Sequence, residues 1–464
     1  MNNERKPNAG ARLDRLPTSK FHWQIFGMIS FGLLVSWSNA IGGLILAQLA
    51  EIGWTNNNIS AIFSSLTTAG MFLGALLGGM IGDRFGRRNS YLLFVAIHIV
   101  SMIVGAFSPN MTFFIIDRVV MGFALGALLT TLFAGYTEYV PSRNRGTWSS
   151  RASFIGNWSY PICSLIAMAI TPLVSANLNW RIQLVIPAIL SSIAFVIVWH
   201  SFPESPRWLE SQGRYEEANK ILDKIESDIE YNQGKKLPEI ISNNNDNEQL
   251  AQISYSDLFK GKLLKRVLLG SFVLISMNVV QYTLINWLPT IFLSQGINLK
   301  NSVLLNTMSM FGAPIGIFIA TFIIDKIPRK VFGVGLLLII AVLGYVYSLQ
   351  TSMLMISLLG FFLIIFVYMY VCYASAVYVP EIWPTAAKLR GSGLANSIGR
   401  ISGILAPYGV AYFLNTSGVT GVFMMLGVTA VVTAIIILVF GIETRSESVE
   451  EIGHLDTEEV TTLK

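Results

Sequence analysis

Charge is what this sequence has least of. Asp, Glu, Lys and Arg together make up 13% of its 464 residues, against 53% that are apolar. Soluble chains carry about a quarter of their residues as charges, and a chain with half that share cannot clothe a water-facing surface. The mean hydropathy of +0.57 points the same way: the expected solvent is lipid. Cysteine is nearly absent too. Cys163 and Cys372 fall in opposite halves and inside apolar runs, which excludes a disulfide framework and a thiolate zinc site. Four histidines (His22, His98, His200 and His454) are too scattered for a metal or acid–base constellation, so no metal, no cofactor and no enzymatic chemistry are expected. Residues 1–21 are hydrophilic and basic and lack a short apolar core ending in a cleavage site. The first apolar run is therefore expected to be a retained span and not a leader.

What the sequence has in abundance is apolar runs of about 20 residues, the length that crosses a bilayer core of about 30 Å. They predict spans near 22–47, 59–82, 89–108, 111–138, 146–171 and 180–202, then 266–293, 301–324, 331–349, 353–380, 391–415 and 419–441. Backbone polar groups in hydrocarbon must be satisfied within the segment. Continuous runs of this apolarity do that as helices, whereas barrel strands would alternate. The expected fold class is all-α, with twelve transmembrane helices. Lys and Arg follow loop parity. All but five of the 32 lie in the termini and the alternate loops 83–88, 141–145, 203–266, 325–330 and 388–390; the exceptions are Arg118, Arg151, Arg181, Lys300 and Arg400. By the positive-inside rule both termini are cytoplasmic. The net charge of +5 reflects that topology, and no nucleic-acid partner is expected.

The chain also repeats itself. Asp83-Arg84-Phe85-Gly86-Arg87-Arg88 recurs in weaker form 242 residues later as Asp325-Lys326-Ile327-Pro328-Arg329-Lys330. Glu138 with Pro141 returns 243 residues on as Glu381 with Pro384, and Arg145-Gly146 returns 245 residues on as Arg390-Gly391. Registers this close imply two six-span halves, 22–202 and 266–441. They are flanked by a cytoplasmic segment 1–21 and a tail 442–464, and joined by a cytoplasmic linker 203–265. In that linker Leu209, Ala218, Ile221, Leu222 and Ile225 predict a short amphipathic helix over 207–227, followed by a flexible polar stretch at Asn243–Gln249.

These residues resemble the major facilitator superfamily over essentially the whole chain. The likeness rests on Gly79 through Arg88, on Arg118 with Gly122 and Gly126, and on Pro203-Glu204-Ser205-Pro206-Arg207-Trp208-Leu209, which resembles the branch of sugar porters and metabolite transporters. Glu443-Thr444-Arg445 resembles that branch's ending. The resemblance implies a small-molecule transporter of a plasma or inner membrane, built on two repeats, coupled by default to protons, with facilitated diffusion as the rival; a monomer is expected. Gly79, Asp83, Arg84, Gly86, Arg87 and Arg88 would brace the first half, and Asp325, Lys326 and Arg329 the second. Glu138 with Arg145, Glu204 with Arg207, and Glu381 with Arg390 are expected as the remaining pairs of an inner gate. Half-exposed pairs contribute about 0–1 kcal/mol each, so only a network can bias a conformational equilibrium. The alternative is that the charges merely anchor helix ends, which leaves the acidic members unexplained.

The solute is read from departures. Span 7 runs Asn278-Val279-Val280-Gln281-Tyr282-Thr283-Leu284-Ile285-Asn286-Trp287, which looks more like the organic-acid and metabolite branch than the Gln-rich sugar signature. Arg151 stands about 9 Å up span 5 from Arg145, and Arg400 about 15 Å up span 11 from Arg390. A guanidinium at that depth costs free energy unless it faces a cavity or a partner, and its paired donors match a carboxylate. An anionic organic solute is therefore the leading expectation; a sugar or polyol, drug efflux or a transport-dead receptor are the alternatives. The competing reading of each arginine is a helix carbonyl or a polar neighbour such as Asn396 or Asn157. Trp37, Asn39, Trp158, Gln281, Tyr282, Trp287 and Tyr373 lie on spans that line this family's cavity, although most membrane aromatics only pack or anchor. Arg118 and Asp117 are assigned to gating or coupling. Ser36-Trp37-Ser38-Asn39 lacks the acid that related symporters carry there, and a lone His98 in span 3 is more often a packed polar residue than a relay.

Overall fold

The computed structural model describes residues 9–34, 37–140, 145–239, 255–383 and 387–444. Among the described residues the secondary structure is helical throughout. Eleven stretches are long and apolar enough to cross a membrane, from Lys20–Glu51 to Arg390–Phe440. The last belongs to a helix, Lys388–Phe440, of 53 residues. At 1.5 Å per residue it is far longer than one crossing needs, and the backbone leaves helical geometry at Gly418 (φ 64°, ψ −159°), between the two spans expected from sequence. Span 5 is broken into Arg145–Asn157 and Ser159–Ile170. Span 8 is broken into Leu299–Met310 and Gly312–Ile323. Span 10 (Met353–Val371) continues as a π-helix over Cys372–Tyr378. The polar stretch Asn243–Gln249, Pro141, Pro384 and Arg445 lie outside the described residues.

The chain partitions into two compact units. The first is Met1–Asn39, Ala69–Ser159 and Arg181–Asn247; the second is Ala40–Thr68, Tyr160–Trp180 and Glu248–Lys464. The later segments of spans 1 and 5 and the opening segment of span 2, up to Thr68, thus group with the second half of the chain.

In the first unit small residues let helices meet backbone to backbone. A β-carbon at Gly70 or Gly74 of span 2 (Asn57–Phe85) would strike the backbone of Val119 or Phe123 in span 4 (Met111–Tyr139). The second unit repeats the device 242 residues on: Gly312 and Gly316 of span 8 meet the backbone at Phe361 and Ile365 of span 10. The repeat read from charged loops therefore extends into the packing of the helices.

The linker forms two helices, Pro206–Ser211 and Tyr215–Gln233, because Gly213 adopts φ +74° between them. The expected single helix over 207–227 is corrected accordingly. Its apolar face is covered by a partner absent from the sequence reading. Ala9, Leu13 and Leu16, from the short helix Ala9–Asp14 and the residues after it, pack on Leu222, Ile225 and Ile229. Arg12, 5% exposed, donates to Glu226 (3.0 and 2.7 Å), Asp223 (2.6 Å) and Asn219 (2.9 Å). Burial acts against the charge of Glu226, but hydrogen bonds from Arg12 and Arg15 prevail and hold its carboxyl below the usual glutamate value.

Candidate functional site

Two charge networks of matching design sit at the charged-loop ends of the two halves. In the first unit Glu204 accepts from the backbone N–H groups of Arg87 (2.7 Å) and Arg88 (3.2 Å), at the start of span 3 (Arg87–Ala106). Arg87 donates to Asp83 (2.6 Å) and Glu138 (2.9 Å). In the second unit Glu443 accepts from the N–H groups of Arg329 (2.7 Å) and Lys330 (3.1 Å), at the start of span 9 (Arg329–Ser348). Arg329 donates to Asp325 (2.9 Å) and Glu381 (3.1 Å). In each case a carboxylate sits where a helix presents unsatisfied N–H groups and the positive end of its dipole. Gly86 is required in the first network: its φ is +92°, and a β-carbon there would meet the Glu204 carboxylate.

The pairings differ from those expected. Glu138 takes Arg87, Glu381 takes Arg329, and Glu204 caps span 3. Arg207 pairs with Asp14 (3.2 Å), and Arg390 lies over the Tyr255 ring at 5.2 Å. The physical reason is placement: the first arginine of spans 3 and 9 stands at the helix start, with the preceding span's Asp and the neighbouring span's Glu on either side. The side chain of Arg145 lies outside the description. Arg88 donates to the Trp199 carbonyl (2.6 Å), Arg84 lies over Phe85 (5.5 Å), and Lys326 is exposed. A β-carbon at Gly79 would make only ordinary contact, with Thr130; the close approach to span 4 is at Gly78, against Ala127.

A buried polar chain crosses the first unit. His98, fully buried, meets Ser38 Oγ at 2.9 Å and Ser191 Oγ at 3.1 Å through its two ring nitrogens. Arg118 donates to the Ser38 carbonyl at 3.0 Å. Spans 1, 3, 4 and 6 are thereby tied at one point, beside the place where span 1 passes from one unit to the other. Asp117 turns to another neighbour, accepting from Ser101 Oγ at 2.9 Å.

The candidate solute contacts gather in the second unit. Gly399 and Gly403 flank Arg400, and a β-carbon at either would press on span 7 (Gly261–Ser294), at Leu274 and Asn278 or at Tyr282. The two glycines thus let spans 7 and 11 close up beside Arg400. Arg400 is half-buried and makes no hydrogen bond or ion pair with a described residue. Asn396, one turn earlier, is exposed and, among the described residues, donates only to the Ser392 carbonyl of its own helix. Gln281 and Tyr282 are half-buried, and both lie within electrostatic reach of the Tyr368 hydroxyl, as does Tyr160. The rings of Tyr160 and Tyr368 are 5.8 Å apart, edge to face. Tyr160 and Tyr368 were not singled out from sequence, because aromatics inside apolar runs read as packing.

The other expected contacts stand elsewhere. Tyr373 is fully buried, stacked on Tyr378 at 5.0 Å and edge-on to Phe332. It fills the space that Gly333 leaves on span 9, which is packing. Arg151 is exposed and lies over the rings of Trp148 (5.5 Å) and Trp23 (5.9 Å); its charge is held by aromatic faces. Trp37 and Trp287 are buried, Asn39 is half-buried, and Trp158 is exposed with its edge to Phe154.

The comparisons with known proteins bear on this arrangement. The model of the family described as sugar (and other) transporter matches residues 25–455. The chain belongs to that family. It is a sugar-porter-like transporter of the major facilitator superfamily, a multi-pass protein of the cell membrane and not an enzyme. Two Escherichia coli (strain K12) relatives carry metabolite-transport names. YdjK is 67% identical, with 97% of each chain covered. The inner membrane metabolite transport protein YdjE is 44% identical over 98% of this chain and all of its own. The transporter shares its fold with the inward-open xylose transporter XylE of E. coli, at a TM-score of 0.71 and 16% identity, with 94% of this chain and 99% of that one covered.

Proposed function

We propose that the protein carries a small organic anion, an aromatic or other carboxylate, through twelve spans with both termini cytoplasmic, by alternating access and with proton coupling. The observation that carries this reading is Arg400: a half-buried guanidinium about 15 Å along its helix from Arg390, with no ion-pair partner among the described residues. A charge at that depth is retained at a cost unless something of opposite sign visits it. The carboxylate of a solute meets the paired donors of the guanidinium, while Gln281, Tyr282 and Asn396 offer polar contacts to the rest of the molecule. A relative 25% identical is named as a niacin transporter, which is in keeping with a carboxylate on a ring.

A neutral sugar or polyol is the second reading, favoured by the amide and hydroxyl character of Gln281, Tyr282 and Tyr368. The test is a thermal-shift screen of the purified protein against carboxylates, sugars and organic cations, since a ligand of the native state raises apparent stability. Carboxylates alone should stabilise it. Stabilisation by sugars alone would replace the anion reading with the neutral one.

A further inference from the structure

By the repeat, spans 1, 2 and 5 belong to the first half of the chain, yet segments of all three group with the second half. Gly43 of span 1 lies where a β-carbon would strike the carbonyls of Ile285 and Asn286. Ser164 of span 5 accepts from Asn306 of span 8 (3.1 Å) and, through its carbonyl, from Thr307 (3.2 Å). Spans 2 and 11 meet at two levels. A β-carbon at Gly403 would lie 3.6 Å from the Thr68 methyl. At the helix ends Asn57 donates to Asn415 Oδ1 (2.7 Å), and Asn415 donates in turn to Asn58 Oδ1 (3.1 Å). Thr68 stands about 16 Å along span 2 from Asn57, and Gly403 about 18 Å along the final helix from Asn415. The two helices therefore run side by side, antiparallel, between these levels. Asn57 is about 39 Å from Asp83 along its helix, and Asn415 about 38 Å from Arg390, so the three amides close the end of the seam farthest from the charged loops. Asn58 and Asn415 are exposed and Asn57 is half-buried.

Resting on the alternating-access reading, we propose that Asn57, Asn58 and Asn415 form the releasable clasp of a gate at this end, with Asn415 as the gating residue that both bonds share. In alternating access the two halves move against one another so that each face opens in turn. A segment of span 2 seated on span 11 has to leave it when this face opens. The chemistry suits a contact made and broken repeatedly: exposed amides exchange one another for water at little net cost, and one neutral hydrogen bond shifts a two-state ratio by about two- to tenfold. Asn415 accepts in one bond and donates in the other, so its side chain carries the whole clasp, about fivefold or more. Thr68, under the clasp and against span 11, is uncovered when the helices part.

The test places a single cysteine at Thr68 (Thr68→Cys) in a chain with Cys163→Ala and Cys372→Ala, and follows its labelling by a membrane-impermeant maleimide added to the face opposite the termini. Thr68 is 7% exposed, so its reaction reports opening of the seam. Asn415→Ala should speed labelling by about fivefold or more. Asn57→Ala with Asn58→Ala removes the same two bonds from the other side and should speed it equally. The triple variant should label no faster than Asn415→Ala, because the three residues act through one network. Unchanged labelling in either folded variant, or a triple variant faster by the product of the two effects, overturns the clasp. A cysteine that reacts in no variant overturns the alternating-access reading as well. Melting temperature and elution volume are recorded alongside, and the two routes to the same loss keep the test decisive if one fails to fold. Labelling needs no solute, so this result stands apart from the choice of anion.

Discussion

Replacing Glu204 by Gln tests whether the two charge networks are one device used twice. The Glu204 carboxylate accepts from two backbone N–H groups at the start of span 3 and faces the positive end of the helix dipole. A hydrogen bond to a charged group contributes about 1.5–3 kcal/mol, and a neutral one about 0.5–1.5. The dipole term adds about 0.3–1 kcal/mol. Gln keeps one neutral acceptor in nearly the same place, so the net loss is about 1–2 kcal/mol. Glu443→Gln removes the matching contact on Arg329 and Lys330 and should cost the same. At about 2–4 °C per kcal/mol the melting midpoint should fall by about 2–8 °C in either variant, and additively in the double variant, because the two sites belong to different units. The readout is a thermal melt of purified protein at fixed detergent concentration. A fall in one variant only, or in neither, would refute the claim that these carboxylates hold helix starts.

Three further outcomes are expected. His98→Ala removes the hydrogen bonds to Ser38 and Ser191 and leaves a cavity at a fully buried site; it should cost about 2–4 kcal/mol, read as a lowered melting midpoint, with His98→Asn recovering part of it. Glu226 has a folded pKa below its unfolded value, so its contribution is complete above the unfolded value of about 4.3 and is lost as pH falls through the lowered one; hydrogen-exchange protection of residues 9–16 should hold from pH 7 to about 5, decline below that, and lose this dependence in Glu226→Gln. Reporters fused after 203 and 464 should read as cytoplasmic and one near Gly296 as external, and a cytoplasmic signal at Gly296 would sink the topology.

The helices and the repeat were legible because lipid imposes a coarse rule: apolar runs of fixed length, separated by charged loops of one parity. The break at Gly418 could be placed because polar Asn415–Ser417 interrupts the apolar pattern there. Pairing was less legible. Arg145 and Arg390 are nearer in sequence to Glu138 and Glu381 than Arg87 and Arg329 are, but the helix starts bring the latter together. The docking of Leu13 and Leu16 onto the linker was invisible because a six-residue helix has no periodicity to read. In the proposed solute site, Arg400 announced itself as a charge out of place, while Tyr160 and Tyr368 did not, since a tyrosine in an apolar run differs little from phenylalanine until its neighbours are known.

The most direct test of the central claim is calorimetry on three folded proteins: the parent, Arg400→Gln and Arg400→Lys, each titrated with the carboxylate that stabilises the parent best. Losing a charge-assisted hydrogen bond costs about 1.5–3 kcal/mol, or roughly ten- to hundredfold in affinity. Arg400→Gln should weaken binding by that factor, and Arg400→Lys by less, because the charge remains while the paired donors are gone. If Arg400→Gln binds as tightly as the parent, or if the parent binds only uncharged sugars, Arg400 is a structural residue and the anion reading is wrong.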